Sequence, residues 1–422
     1  MSVHKRILHI VGSSALRTFG ATLVCSVIPF ATQAQPMPDG EGQALVEAVC
    51  TSCHQTNMIH RSSGYTAAHW DELISTMIDL SGSSQQEVIV SYLAEHFPPS
   101  GNRASTPAPG DRDIDFTSWK VPTLGQRSRD PVEAPDGTIW WVGQFAAGNL
   151  VGQLNPATGE MKEYKLPAGA LPHTVEIDHE GRVWYTGNGN GTIGMLIPGT
   201  EEFKVYEMPD PAARDPHTML FDENNVAFFT VQNSNYVGRL DPSVEDGDIK
   251  LVQPPTPDSK PYGIQIDSEG TVWIACNGSN CLLSLDRETM ELTEHKLPKP
   301  GTTVRRLDIA ADDTIWYVNS GLGYLGHYNP KTGQITEYDS PSGRNSHPYA
   351  MSVVDGIIWY NESGVRPDML VRFDPATEVF QSWPIPSGNV YAGIVRKMRP
   401  TRDGDLLIHQ SGTNHIMRVN LD

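Results

Sequence analysis

Asp136-Gly137-Thr138-Ile139-Trp140-Trp141-Val142-Gly143, then Val151-Gly152-Gln153-Leu154-Asn155-Pro156, then Glu163-Tyr164-Lys165-Leu166-Pro167, is one copy of a phrase that this chain repeats. An aromatic or large apolar residue marks the same point of each copy: Trp140, Trp184, Phe228, Trp273, Trp316, Trp359 and Leu407, about 44 residues apart. A turn pair precedes each mark: Asp136-Gly137, Glu180-Gly181, Asn224-Asn225, Glu269-Gly270, Asp312-Asp313, Asp355-Gly356 and Asp403-Gly404. Self-similarity at this period signals a repeat architecture. Four short alternating segments divided by turns make one blade of a β-propeller. The last copy ends at Asp422 after its third strand. Asp115-Phe116-Thr117-Ser118-Trp119-Lys120-Val121-Pro122 offers the missing fourth strand from the other end. Residues 114–422 are therefore expected to form an all-β, seven-bladed β-propeller, sealed by its two ends so that no strand edge is left open.

Counting back from each turn finds the residues that begin the first strand of each blade, where a propeller lines its channel mouth. They are Arg129, His173, His217, Tyr262, Arg305, Tyr349 and Arg396. The matching ends of the second strands are Gly143, Gly187, Val231, Cys276, Asn319, Glu362 and Gln410, expected beside them because the two strands run antiparallel. Such a ring suits a small anionic or carbonyl-bearing ligand. Polar rings also line solvent-filled channels with no ligand, and that reading stays open.

The "D-G-x-ϕ-W-ϕ-T" and "ϕ-G-x-ϕ-x-P-x-T-G" phrases give residues 114–422 a resemblance to the streptogramin (virginiamycin) B lyase family of seven-bladed propellers. The resemblance implies a metal-assisted elimination that opens a cyclic depsipeptide, with a His base, a second His and a Glu on neighbouring blades. His173, His217 and Glu362 are the catalytic candidates it offers here. The set is scattered: Val231 stands at the Glu position of the His217 blade, and Tyr349 and Arg305 occupy the His positions near Glu362.

Ahead of the repeats lies Cys50-Thr51-Ser52-Cys53-His54. C-x-x-C-H is the attachment signature of c-type haem: two thiols form thioethers to the vinyl groups, and the His ligates iron. A structural zinc site needs two further ligands at short spacing, and the only other Cys pair is Cys276 and Cys281, far along the chain. Residues 36–99 read as helical throughout. Gly42–Val49 leads into the motif. A second helix capped by Thr66 carries Trp70, Leu73, Ile74 and Met77 as an apolar stripe. Ser84-Gln85-Gln86-Glu87 reads as a capping box opening a third. Met77 is the favoured sixth iron ligand. Met58 is too near His54, and His60, His69 or an open position are the alternatives. The stretch from Trp70 to Met77 and the Tyr92 to Pro98 close resemble small class I cytochrome c domains. The expected organisation is multidomain: a small all-α cytochrome c domain (36–99), a Pro/Ser/Gly linker (100–113) and the propeller.

Residues 1–34 read as a secretory signal, with Lys5, Arg6 and Arg17 before an apolar run too short for a permanent membrane anchor. Cys25 falls inside it. A periplasmic location is expected, which suits both haem attachment and a disulfide. Cys276 and Cys281 flank a four-residue turn, and either a disulfide across the hairpin or two half-buried thiols fits. A formal charge of −19 speaks against nucleic acid and for basic partners. Three functions are open from sequence alone: haem-dependent electron transfer, with the propeller binding a substrate or redox partner; a lyase or hydrolase with the cytochrome as accessory; or a non-enzymatic binding module with the propeller as docking platform.

Overall fold

The computed structural model describes residues 35–421, apart from 53–55, 63, 100–102 and 387–394. Residues 1–34, the stretch read as a secretory signal with Cys25 inside it, lie outside the described residues, as do Cys53 and His54.

Seven four-stranded antiparallel sheets make up the repeat region, as expected. Blades 1 to 6 take their strands in chain order, starting at Ser128, Val175, Pro216, Pro261, Val304 and Pro348. The seventh combines Arg399–Pro400, Leu406–Gln410 and His415–Asn420 with Asp115–Lys120 from the N-terminal side. That closing strand pairs in unbroken register, from Asp115 opposite Asn420 to Lys120 opposite His415. Cores form between blades: Trp140 and Val142 of blade 1 pack with Val175, Val183 and Tyr185 of blade 2.

Two features of the repeated phrase have a direct physical cause. The second residue of every turn, from Gly137 and Gly181 through Asn225, Gly270, Asp313 and Gly356 to Gly404, has positive φ, which Gly, Asn and Asp tolerate. An Asp two residues earlier ties several of these turns. Asp178 Oδ1 accepts from the amides of Glu180 (3.0 Å) and Arg182 (2.9 Å), and Asp222 and Asp267 do the same in their blades.

The glycine of "ϕ-G-x-ϕ" serves a different end. Gly152, Gly194, Gly238 and Gly326 sit directly opposite Trp141, Tyr185, Phe229 and Tyr317 on the neighbouring strand. Each aromatic ring lies flat over its glycine, so that a Cβ at Gly238 would come within 2.2 Å of Phe229 Cζ. Blades 4, 6 and 7 replace the pair by Ile274–Leu283, Tyr360–Val371 and Ile408–Met417.

Among the described residues the N-terminal region contains four short helices where three were expected: α1 (Gln43–Cys50), α2 (Thr56–Arg61), α3 (Ala67–Ser75) and α4 (Gln85–His96). Val46, Trp70, Leu73, Ile74, Ile89 and Tyr92 form their shared core. Thr66 caps α3 by accepting from the His69 amide at 3.2 Å. The capping box at Ser84 does not form: Ser84 makes no side-chain cap, and Ser83 Oγ accepts from the Gln85 amide instead at 3.1 Å. The segment read as a loose linker is extended but pinned along blade 6. Ala108 and Ser382 exchange two hydrogen bonds (2.8 and 2.9 Å), the Thr106 amide donates to Ser342 Oγ, and Trp383 Nε1 donates to the Arg112 carbonyl. Its backbone donors are met by an outer blade edge, which composition cannot reveal.

The helices dock on the loops of blades 1 and 7. Asn414 Nδ2 donates to the Thr76 carbonyl (2.7 Å), which also accepts from the Gly125 amide (3.0 Å), and Thr76 Oγ1 donates to the Gly412 carbonyl (3.2 Å). No helix among the described residues is long and apolar enough to cross a membrane.

Gly238→Ala is expected to destabilise the protein by about 1–3 kcal/mol through overpacking against Phe229. Urea unfolding should show Phe229→Leu relieving part of that loss in the double variant. Strict additivity of the two substitutions would refute the ring-on-glycine account.

Candidate functional site

The mouth is built by a repeated irregularity. In blades 1, 3, 4, 5 and 6 the pairing of the first two strands slips at the start of the first strand: between Arg129 and Val132, Pro216 and Met219, Pro261 and Ile264, Val304 and Leu307, and Pro348 and Met351. A bulge breaks the alternation of faces, so two consecutive residues of one blade can both turn toward the channel. The upper tier holds the seven residues expected from the sequence. A lower tier, formed by Asp130, Thr174, Thr218, Arg306 and Lys397, escaped that reading because strict alternation sends each of them away from the channel.

In the upper tier the rings of His173 and His217 lie tilted against each other with centroids 3.4 Å apart, and His217 meets Tyr262 at 4.2 Å. The hydroxyls of Tyr262 and Tyr349 share a short hydrogen bond. Arg305 lies 5.5 Å from the Tyr262 ring and 5.0 Å from that of Tyr349, and Arg396 lies 5.9 Å from Tyr349. Arg129, whose charge acts on His173, completes the set, and all seven positions converge on one space. His173 Nδ1 donates to the His217 carbonyl at 3.1 Å, which fixes its proton there and leaves Nε2 as an acceptor.

Arg306 closes the bottom of this space. Its Nε donates to the Arg396 carbonyl (3.0 Å), its Nη1 to Thr218 Oγ1 (2.8 Å), and its Nη2 stands 4.0 Å from Asp130 Oδ2. One side chain from blade 5 therefore reaches blades 7, 3 and 1. Gly263 makes room for it, since a Cβ there would lie 3.0 Å from Arg306 Cα. Asp130 is fully buried, accepts from Thr174 Oγ1 (2.9 Å) and touches Arg129 Nε (3.4 Å). Burial opposes its charge, but Arg129 and Arg306 outweigh it and hold its carboxyl far below the usual range. The mouth is a cup with a floor.

Burial pushes His173, His217 and His409 well below the ordinary imidazole range, and the nearby arginines add to the effect for His173 and His217. The two ring nitrogens of His409 face the backbone amides of Asp130 (3.1 Å) and Arg396 (2.8 Å). A neutral ring accepts from one of them and an imidazolium from neither, so the packing itself opposes protonation.

The second-strand ends take other duties. Glu362, a catalytic candidate, accepts from Ser340 Oγ (2.7 Å), the Ser342 amide (2.9 Å) and Ser342 Oγ, tying blade 6 to the loop before it. Val231 packs within the core formed with blade 2, and Cys276 within that shared by blades 3 and 4. Cys276 and Cys281 face each other with sulfurs 2.7 Å apart. Among the described residues, no group of three or more His, Cys, Asp and Glu gathers as a metal site.

A second cavity, about 350 Å³ in volume, lies where the helices meet the propeller. Val49, Cys50, Ile74, Met77 and Ile89 line it from the helical side, and Arg127, Phe145, Ala146 and Asn414 from blades 1 and 7. Cys50 and Met77, distant in sequence, thus open onto one apolar space. Of the alternative ligands, His60 Nε2 lies 3.1 Å from the Pro36 carbonyl, and Met58 is exposed.

Residues 110–282 match the model of the Virginiamycin B lyase family. Among solved structures, virginiamycin B lyase from Staphylococcus aureus is similar at 22% identity over 74% of this chain and 100% of that one, with a TM-score of 0.64. A streptogramin B lyase structure gives 23% identity over 73% and 98%, with a TM-score of 0.65. Kuenenia stuttgartiensis hydrazine synthase gives 12% over 70% and 97%, at 0.58. At these identities the likeness establishes the ring and not its chemistry. No protein of curated function matches the chain.

Histidines kept neutral by burial bind fewer protons when folded than when unfolded, so stability present above about pH 6.5 is lost as the pH falls below it. The urea midpoint is expected to drop between pH 7 and pH 5. His217→Asn should remove up to about 1.4 kcal/mol per pH unit of that loss. An unchanged pH profile in this variant would contradict the assignment.

Proposed function

We propose that this chain is an exported, periplasmic c-type cytochrome whose haem lies between the helices and the propeller mouth, and that the mouth receives a substrate or a group of a redox partner. The observation that carries the proposal is the shared cavity. Its apolar lining, with one attachment cysteine and one thioether opening onto it, matches what a covalent haem needs from its surroundings. Cys50 and Cys53 would hold the ring, with His54 and Met77 as iron ligands. Held by these residues, the group would supply one-electron transfer. Val49, Ile74 and Ile89 give the cavity an apolar wall. Arg127 stands at its propeller side, 4.7 Å over the Phe145 ring. Burial and the nearness of Arg396 and Arg129 make the Arg127 charge costly, so the cavity and the cup act on each other electrostatically. An acidic chain of charge −19 favours a basic redox partner.

A lyase-like activity is the second reading, and the comparisons favour it: the family match and the similar solved structures are to virginiamycin B lyases, and they speak only to the propeller. Of its catalytic candidates, His173 and His217 adjoin, and each is neutral as a general base requires. Glu362 is occupied by two serines.

Purified from an exporting host, the protein is expected to keep haem through denaturing electrophoresis. Met77→Ala should then lower the reduction potential and remove the thioether-to-iron absorption band. Absence of covalent haem would overturn the first reading. Opening of a streptogramin B ring, lost in His217→Asn, would establish the second.

A further inference from the structure

The cup gathers more positive charge than the residues around it neutralise. Arg129, Arg305, Arg306, Arg396 and Lys397 face it or its floor, and Asp130 is the one carboxylate placed among them in the described residues. The eight residues 387–394, which join blade 6 to blade 7, carry no charged side chain and cannot alter the balance. The next carboxylates down the channel are engaged elsewhere. Glu176 pairs with Arg399 at 2.6 Å, and Asp308 accepts from the Val353 amide (2.8 Å) and Gln265 Nε2 (2.9 Å).

Donors are left over as well. Arg129 and Arg306 are 2% and 3% exposed, yet among the described residues Nη2 of each has no hydrogen-bond partner, and neither has Nε of Arg305. Buried guanidinium groups retain unsatisfied N–H donors at substantial cost unless a ligand meets them. A forked guanidinium is matched best by a planar or tetrahedral oxyanion. The floor formed by Arg306, and the walls of His173, His217, Tyr262 and Tyr349, limit the ligand to a small one.

We infer that the cup is a binding site for a small oxyanion, held by the guanidinium groups of Arg129, Arg305, Arg306 and Arg396 and sensed by the hydroxyl pair of Tyr262 and Tyr349. Above about pH 8, in the unliganded protein, the Tyr349 phenolate supplies the negative charge among these arginines. Burial alone would raise it, but Arg396 and Arg305, with the hydrogen bond from Tyr262 and the charge of Arg306, bring it down to about 8. Its partner is driven the other way: burial and the Tyr349 charge push Tyr262 up to about 12. The groups facing Tyr349 are Arg305, Arg306, Arg396, Arg127, Tyr262 and His347, whose burial holds it below the ordinary imidazole range. An arriving anion takes over the arginines and returns Tyr349 to its protonated form, so binding takes up a proton and weakens as the pH rises above about 8.

The inference rests on reading the cup as a ligand site and is independent of haem. Calorimetric titration of the full chain at low ionic strength, with acetate and inorganic phosphate as separate probes, tests it. One anion per chain is expected, and the two probes tell a carboxylate site from a phosphate site. Arg305→Gln should weaken binding at least tenfold, and Arg305→Lys, which keeps the charge but not the fork, should weaken it by less. Above pH 8 the affinity should fall by up to about tenfold per pH unit, and Tyr349→Phe should flatten that slope while the anion still binds. Failure of both anions to bind would overturn the inference, as would indifference to Arg305→Gln or a pH slope that survives Tyr349→Phe. A protein that carries haem yet binds neither anion would end this inference and leave the proposed function standing.

Discussion

Everything in this molecule hangs on one antiparallel pairing, that of Asp115–Lys120 with His415–Asn420. Without it the seventh blade has three strands and its outer edge is open. The pairing joins residues some three hundred positions apart, but the entropy of closing a chain grows only slowly with its length, so a six-residue ladder suffices. The pairing also dictates what precedes it. Because the chain enters the ring at blade 7, the segment before the closing strand is led along blade 6, and the helices come to rest on the loops of blades 1 and 7. The apolar cavity beside the mouth is a consequence of how the ring is closed.

Charge is divided in the same economical way. The chain is acidic as a whole, yet its centre holds a cluster of arginines. At physiological ionic strength surface charges are felt over about 8–10 Å, so the acidic exterior governs which proteins approach while the cup responds to its own walls. The two signs do not cancel. They address different partners.

The ring was legible in the sequence because its signals are local. A left-handed second turn residue and a glycine beneath an aromatic ring each need a particular residue type at a fixed offset, and both recur with the blade. The upper tier of the cup followed by counting from those turns. Its lower tier did not, because a bulge is a change of register that leaves no residue signature, and Asp130 and Arg306 read as ordinary strand positions. Glu362 misled for the opposite reason: its place in the repeat is correct, but two serines of the preceding connection claim its oxygens. Among the helices, the run Ser81-Gly82-Ser83-Ser84 offers several hydroxyls, and the one that caps is a matter of backbone angle that spacing does not decide.

Six residues, Gly125 to Asp130, tie the helical region to the cup. The amide of Gly125 bonds Thr76, next to Met77. Arg127 lines the apolar cavity, and Arg129 and Asp130 build the wall and floor of the cup. Their side chains are buried or half-buried, and the backbone is held at both ends, at Gly125 by Thr76 and at Asp130 by His409. Charge placed in the cup therefore cannot be absorbed by moving this segment away. An anion there lowers the repulsion that Arg129 and Arg396 exert on Arg127, which makes a positive charge at the cavity wall less costly. Occupancy of the cup and the electrostatic environment of the cavity are thereby one coupled quantity, transmitted over a stretch too short and too firmly anchored to respond in any other way.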